Sequence, residues 1–426
     1  MEDSESDKPR HRAGWLSKEG KRLKGRNRRY LVLKGTKLSH HVKENMPPTW
    51  EIDINNIRLS LGDRPLEFLI SAGGRSVAFF AESQDDMIGW IQALKSANSI
   101  LEDFYRLGRQ LGKGSYGEVF LAVDKLNGKK YAAKRITKNP NNRKQKKFIE
   151  RERAIMTTVQ HKNIVRTLDV FEGPSKLEIV SEYMEGGELF DLIISSQFFT
   201  EEKARHIMRQ ILEGVQYLHA RNIVHRDIKP ENVLCVGKTW PLEVKLTDFG
   251  LSNFLKDGGA DDAMLLSHVG TSYYIAPEIV GKGGYGPAVD IWASGVVLYI
   301  MLCGRFPFWG KTDIEYMRSL SRGPCMVGEG WDEVSDEGKA FLKLLLQVDP
   351  KRRLTASQAL EHPWLSQDGP TLNRRLSSIS GLAVIASKNK KRISEGAGKP
   401  ATSPIGSKED SAHDVVVGTP DVAQLG

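Results

Sequence analysis

Two kinds of hydrophobic periodicity divide the chain. Between residues 11 and 98 short alternating runs dominate, namely Tyr30-Leu-Val-Leu33, Glu51-Ile-Asp-Ile54, Leu66-Glu-Phe-Leu-Ile70 and Ser76-Val-Ala-Phe-Phe80. A period of two, punctuated by Gly, Asn, Asp and Pro, predicts half-buried antiparallel strands. One helical pattern follows, with Met87, Trp90, Ile91 and Leu94 on a single face. From residue 104 to 365 the pattern is mixed, with strand runs first and mostly helical spacing from Phe190 onward. The apolar stretch Ala293–Cys303 predicts a buried core helix, because it is far too short to span a bilayer. Residues 1–10 form a polar leader. Residues 366–426 lose aromatics and gain Ser, Gly, Lys and Pro, a composition that predicts a largely disordered tail. No internal repeat is visible. Only about five residues separate the first helical pattern from the strand-like Phe104-Tyr105, too few for two domains to swing freely.

Composition narrows the picture further. Of 426 residues, 40% are hydrophobic and 27% charged, as in soluble globular proteins. Cys235, Cys303 and Cys325 lie apart with no CxxC spacing, which argues against a disulfide framework or a zinc site and fits a reducing compartment. The acidic start, Met1-Glu-Asp-Ser-Glu-Ser6, is unlike a signal peptide, and neither end carries a lipidation motif. The expectation is a soluble, cytoplasmic protein. The net charge of +9 is uneven: between His11 and His40 there are ten Lys or Arg and one acid, Glu19, and a second basic cluster covers Lys388 to Arg392. Such patches favour acidic or phosphorylated partners. Nucleic acid is not expected, since no aromatic residues are interleaved with the charge as a base-stacking surface requires.

The chemistry-bearing residues come in a fixed order. Gly112-Lys-Gly114-Ser-Tyr-Gly117-Glu-Val119 lies between two apolar strand runs. Glycines without Cβ let backbone N–H groups approach phosphate oxygens, although an ordinary tight turn would look the same. Lys134 sits among apolar residues in Tyr131-Ala-Ala-Lys-Arg-Ile136, where a buried ammonium needs a partner, and Glu152 on the helical segment Lys147–Val159 can supply one. In His225-Arg-Asp227-Ile-Lys229-Pro-Glu-Asn232, Asp227 can accept a hydroxyl proton, Lys229 can steady a terminal phosphate and Asn232 can bind a metal. Asp248-Phe-Gly250 follows the strand run Leu242–Leu246, and its carboxylate suits magnesium.

Together these motifs resemble the eukaryotic protein kinase family over residues 104–365. The resemblance implies an α+β bilobal fold that transfers the γ-phosphate of ATP, held with Mg2+, to protein substrates. It extends to Ala276-Pro-Glu278, with Arg353 placed like the partner of that glutamate, and to Asp290-Ile-Trp-Ala-Ser-Gly295, which looks like the start of the central helix. By resemblance Leu111, Gly112, Gly114 and Gly117 cover the nucleotide, Val119, Ala132 and Leu234 sandwich adenine, and Glu182 and Met184 form the hinge. Glu188 meets ribose or a substrate arginine. Ser181 stands at the gatekeeper position, where bulkier residues are usual. Lys229 and Gly270-Thr271 resemble the serine/threonine class.

Gly270-Thr-Ser-Tyr-Tyr-Ile-Ala-Pro-Glu278, Gly186-Gly-Glu-Leu-Phe190 and His362-Pro-Trp364 look like the calcium/calmodulin-dependent group, which favours arginine three residues before the target. Ser267 is placed where relatives carry an activating phosphate. No EF-hand loop is present, so any calcium control would come through another protein.

The flanking segments resemble regulatory modules. Gly14-Trp-Leu-Ser-Lys18, Arg28-Arg-Tyr-Leu-Val-Leu33 and Trp90 resemble a pleckstrin homology domain over residues 11–98, an all-β sandwich with a C-terminal helix. Lys18 and Arg29 match the residues that grip inositol phosphates in lipid-binding members, while Asn27 departs from the basic residue usual there. This implies recruitment to a phosphoinositide membrane surface; the alternative is a charged face for protein contacts. The tail segment Leu372–Ile385 is basic and apolar by turns. It resembles an autoinhibitory, calmodulin-binding stretch, with Ser377 and Ser378 each three residues after an arginine. A second reading of the whole chain is a catalytically weak, membrane-recruited scaffold that only binds nucleotide.

Overall fold

The computed structural model describes residues 11–19, 25–72, 75–98, 100–114, 117–139, 141–195, 199–254, 273–280, 286–310, 313–327 and 330–366.

The first seven strands are β1 (His11–Glu19), β2 (Arg26–Lys34), β3 (Lys37–His41), β4 (Pro48–Asp53), β5 (Arg58–Leu61), β6 (Glu67–Ala72) and β7 (Arg75–Phe80). They form one antiparallel sheet in the order β4-β3-β2-β1-β7-β6-β5, with β1 in the middle, paired with β2 along its length and with β7 at Ser17 and Lys18. Helix α1 (Gln84–Ala97) follows. It starts where the Ser83 hydroxyl accepts from the Asp86 amide, with Asp85 and Asp86 in its first turn and Lys95 in its last, each charge complementing the helix dipole. Its buried face is Met87, Trp90, Ile91, Leu94 and Ala97, the stripe legible in the sequence. Trp90 is wholly enclosed, so Trp90→Ala would cost roughly 3–5 kcal/mol.

The second unit opens with β8 (Tyr105–Gly114), β9 (Gly117–Asp124), β10 (Lys130–Thr137), α2 (Arg143–Thr158), β11 (Thr167–Glu172) and β12 (Lys176–Glu182). The strands make a five-stranded antiparallel sheet, order β11-β12-β10-β9-β8. Helix α2 starts four residues earlier than its apolar spacing suggests. The Asn142 side chain caps it by accepting from the Gln145 amide, and its first turn, Arg143-Lys-Gln-Lys146, has no apolar residue to mark a stripe.

Below this sheet lie β13 (Gly187–Glu188), α3 (Leu189–Ser195), α4 (Glu201–His219), β14 (Ile223–Val224), β15 (Val233–Cys235), β16 (Val244–Leu246), β17 (Asn253–Phe254), α5 (Pro277–Val280), α6 (Ala288–Cys303), α7 (Asp313–Arg322), α8 (Asp336–Leu345), α9 (Ala356–Leu360) and α10 (Pro363–Ser366). Every residue of α6 from Val289 to Cys303 is buried, which explains why its sequence is apolar all round rather than on one stripe. Gly304 ends it at φ +62°, a left-handed turn that glycine adopts without strain. No described helix is long and apolar enough to cross a membrane.

Candidate active site

The cleft between the five-stranded sheet and the helical unit is built on strand alternation. On β10, Lys134 and Ala132 face the cleft, while Ala133 and Arg135 face the opposite side. Val119 pairs with Lys134, and Leu121 and Ser181 pair with Ala132, so all share the cleft face. Ser181 and Ala132 are both small, and the Ser181 hydroxyl lies 3.5 Å from the Ala132 carbonyl. Gly112 and Gly114 lie on β8 opposite Val119 and Gly117, with Leu111 beside them. A Cβ on Gly117 would lie 2.3 Å from the Arg135 carbonyl oxygen, so only glycine fits there. Glu182 ends β12, and Met184 follows, buried. The Glu182 carboxylate accepts from Lys245 at 2.7 and 2.8 Å and from the Arg166 amide at 2.7 Å. Across the cleft, Leu234 on β15 pairs with Glu188 on β13.

Lys134 joins the two halves. Its ammonium donates to Glu152 on α2 at 2.6 Å and to Asp248 at 2.9 Å. Burial alone would lower its pKa, but attraction to Asp248 and Glu152 wins and raises it. Burial likewise works to raise the Asp248 carboxyl, but Lys134 overcomes it and holds the pKa down to about 2. Asp248 is therefore a carboxylate at neutral pH, held in the left-handed region at φ +64°. Next to it Phe249 is buried against His225, ring centroids 5.1 Å apart.

Asp227, Lys229 and Asn232 converge. Lys229 donates to both Asp227 oxygens at 2.9 and 2.8 Å, and Asn232 donates to the Asp227 carbonyl at 2.7 Å and its carboxylate at 2.8 Å. This leaves the Asn232 amide oxygen as the acceptor. The loop is held from below by Asp290, which is wholly buried on α6. Its carboxylate accepts from the Arg226 amide at 2.8 Å, the His225 amide at 2.9 Å and His219 Nε2 at 2.8 Å. Arg226 is thereby fixed at φ +68°. Among the described residues no group of three or more His, Cys, Asp or Glu is placed to hold a metal alone. Asp248 and Asn232 offer two hard oxygen donors, which fits a magnesium ion that shares phosphate oxygens with a nucleotide.

In the N-terminal unit, Lys18 on β1 and Arg29 on β2 lie on one face with His40 of β3. Burial pushes the His40 imidazole down to about 4, and the neighbouring charges of Lys18 and Arg29 push the same way. Basic residues of this region make contacts within the domain, Arg29 donating to the Arg28 carbonyl at 2.8 Å. Arg28 pairs with Glu82, and Arg26 stacks 3.6 Å above Phe80.

Comparison with known proteins agrees with this geometry. Residues 105–365 match the protein kinase domain family. The chain belongs to the protein kinase family. Residues 10–99 match the PH domain family. The kinase is 39% identical over 299 residues to calcium-dependent protein kinase 7 of Arabidopsis thaliana, covering 68% of this chain and 54% of that one. It is 39% identical over 283 residues to a protein named as a probable myosin light chain kinase of Dictyostelium discoideum, covering 66% and 79%. It is 37% identical over 328 residues to a Dictyostelium protein named as the probable serine/threonine-protein kinase fhkE, covering 74% and 45%. The chain thus spans about half the length of several relatives it matches.

The structure gives a part in the site to three residues whose roles the motifs alone do not show. Asp290 was legible only as the start of a helix, because its partners are backbone amides 64 and 65 residues away. Lys245 braces the hinge through Glu182. Glu231, inside the motif run, has one carboxylate oxygen buried without a hydrogen-bond partner. Burial raises its pKa and the charges of Glu188 and Asp227 add to this, against Lys229. An acid among motif residues was the available signal. Arg353 meets Glu278 in a fork, at 2.6 and 3.0 Å. Ser267, Ser377, Ser378, Gly270-Thr271, the basic loop Lys21–Lys24 and the tail segment Leu372–Ile385 lie outside the described residues.

Proposed function

We propose that this chain phosphorylates serine or threonine hydroxyls of basic protein substrates, and that its PH domain binds phosphoinositide headgroups at a membrane. The observation that carries the first part is the bridge of Lys134 to both Glu152 and Asp248, set beside the Asp227–Lys229–Asn232 cluster. Magnesium ATP supplies the phosphoryl group and the cations that neutralise its charge. Lys134, oriented by Glu152, holds the nucleotide phosphates. Val119, Ala132, Leu234, Met184 and the Glu182 backbone enclose adenine, and Leu111, Gly112, Gly114 and Gly117 cover the phosphates. Asp248 and Asn232 hold the metal. Asp227 orients the attacking hydroxyl and takes its proton, while Lys229 stabilises charge on the phosphoryl oxygens.

Preference for basic substrates is supported by two neighbouring carboxylates, Glu188 and Glu231. Burial raises the Glu231 pKa and repulsion from Glu188 adds a smaller part; a guanidinium entering between them gives both carboxylates a counter-charge. Peptides with Arg or Ala three residues before the serine test this. An Arg preference that falls at least about tenfold in Glu231→Gln is expected for a charge-assisted pair of roughly 1.5–3 kcal/mol. Equal kcat/KM for the two peptides would overturn it.

Headgroup binding is supported by Lys18 and Arg29 crowding one face beside His40, each basic residue adding about 1 kcal/mol near an anionic surface. Liposome sedimentation with Lys18→Ala plus Arg29→Ala is the test, and unchanged binding would refute it. Truncation after Ser366 asks whether the tail inhibits: higher activity without it supports an inhibitory segment, and unchanged activity removes that role.

A further inference from the structure

We propose that the PH domain forms the second wall of the kinase's upper lobe, and that Lys95 is a positioning residue for the nucleotide site. A sheet with a helix on one face normally turns its other face to solvent or a partner. Here α2 covers the cleft side, and the opposite side is buried by the N-terminal domain. Ala122, Ala133, Phe171 and Val180, from four different strands, share one continuous core with Leu94, Ala97 and Leu101. Each of those four kinase residues is at most 2% exposed. Phe104 and Tyr105 complete the seam, stacking on or against Phe171.

Charged groups fix the register of this contact. Lys95, in the last turn of α1, reaches across to the kinase sheet. Its ammonium donates to the Tyr105 hydroxyl at 2.9 Å and pairs with Asp124 at 3.2 Å and Asp169 at 3.0 Å. Its side chain is 13% exposed, and the Tyr105 hydroxyl in turn donates to Asp169. The connecting segment is held from both sides by two successive acids that point in opposite directions. Asp103 turns back to the PH domain, accepting from the Leu59 amide at 3.1 Å, Arg58 at 3.3 Å and Asn98 at 3.4 Å. Glu102 turns forward to the kinase sheet, accepting from Arg135 at 2.7 Å and Lys176 at 3.2 Å.

The mechanical consequence lies in β10. Ala133 and Arg135 press on the PH side while Lys134, between them, holds Glu152 and Asp248 on the cleft side. A shift of the PH domain therefore moves the strand that carries Lys134, because a packed core transmits displacement rather than absorbing it. The PH domain is not a tethered address but part of the catalytic lobe, and whatever docks on its Lys18–Arg29 face is rigidly related to the cleft.

The test uses the full chain. Scanning calorimetry of the wild type is expected to show the PH domain and upper lobe unfolding in one transition. Hydrogen exchange is expected to slow in residues 84–97 when magnesium ATP is added, although that helix is remote from the cleft. Lys95→Met is expected to remove this remote protection and weaken ATP binding by about fivefold or more, the low end for coupled sites, and Lys95→Arg to retain both. Two separable transitions, with ATP shifting only one and leaving residues 84–97 unchanged, would overturn the proposal. If ATP alters exchange nowhere, the nucleotide reading fails instead, and the calorimetry still decides the shared wall.

Discussion

Replacing Asp290 by Asn tests how the kinase holds its reacting loop. The two side chains have the same shape, but one acceptor oxygen becomes an NH2 donor. In the wild type one oxygen accepts from Arg226 N–H and the other from His225 N–H and His219 Nε2. His219 can change tautomer to accept; the two backbone amides cannot. Whichever way the Asn amide is turned, one backbone N–H loses a charge-assisted bond worth about 1.5–3 kcal/mol and faces a donor in a buried site, at a further 1–3 kcal/mol. Arg226 at φ +68° already stores roughly 1–3 kcal/mol of strain, so the loop is expected to relax and carry Asp227 with it. A displacement of about 1 Å at a reacting group costs on the order of 100-fold in rate. Steady-state phosphate transfer to a peptide is therefore expected to show kcat reduced by that order, with the KM for ATP little changed because Lys134 and the Gly-rich strands are untouched. A kcat within about threefold of the wild type would refute the reasoning.

Three further outcomes follow from the same structure. Glu278→Ala leaves the guanidinium of Arg353, whose side chain is 0% exposed, buried without its anion. It should lower stability by about 3–5 kcal/mol, read by denaturant unfolding, and the double change Glu278→Leu with Arg353→Met should recover part of the loss; equal losses would refute this. Ser181→Met is expected to weaken inhibition by bulky purine analogues by about tenfold or more, since overfilling a packed site costs roughly 1–3 kcal/mol, and unchanged inhibition constants would show that Ser181 opens no extra space. His40 has a folded pKa of about 4, below its usual 6.5, so the unfolded chain takes up the proton first as pH falls. Its share of stability is present above pH 6.5 and is lost as pH drops from 6.5 towards 4, by about 1–3 kcal/mol after allowing for partial solvent screening. His40→Gln should flatten that part of the stability-versus-pH curve, and an unchanged slope would contradict the assignment.

The fold was legible where burial is one-sided or complete. Trp90 and its stripe marked α1, and the unbroken apolar run marked α6. β1, β3 and β5 show no clear alternating run because each buries only one or two residues, Leu16 in β1, Leu38 and the polar His40 in β3, and Leu59 in β5. The start of α2 was hidden by its basic first turn. In the cleft, Lys134, Asp227, Asn232 and Asp248 stood out because acids, amides and a lysine amid apolar runs are costly unless partnered. What could not be read was which partners lie far along the chain. The sequence showed Lys134 and Glu152 but not the direct bond to Asp248, 114 residues on. It showed a short connection after α1 but not that Lys95 crosses it, since an exposed-looking lysine in a last helical turn is ordinary.

The most direct measurement is transfer of labelled γ-phosphate from magnesium ATP to a serine peptide with arginine three residues before the target, comparing wild type with Asp227→Asn. Wild-type protein should label the peptide, and the variant should be slower by about 10²–10⁴-fold, the usual contribution of a positioned general base. Equal rates for the two proteins, or no labelling of any acceptor by the wild type with or without its tail and added phosphoinositide vesicles, would contradict it.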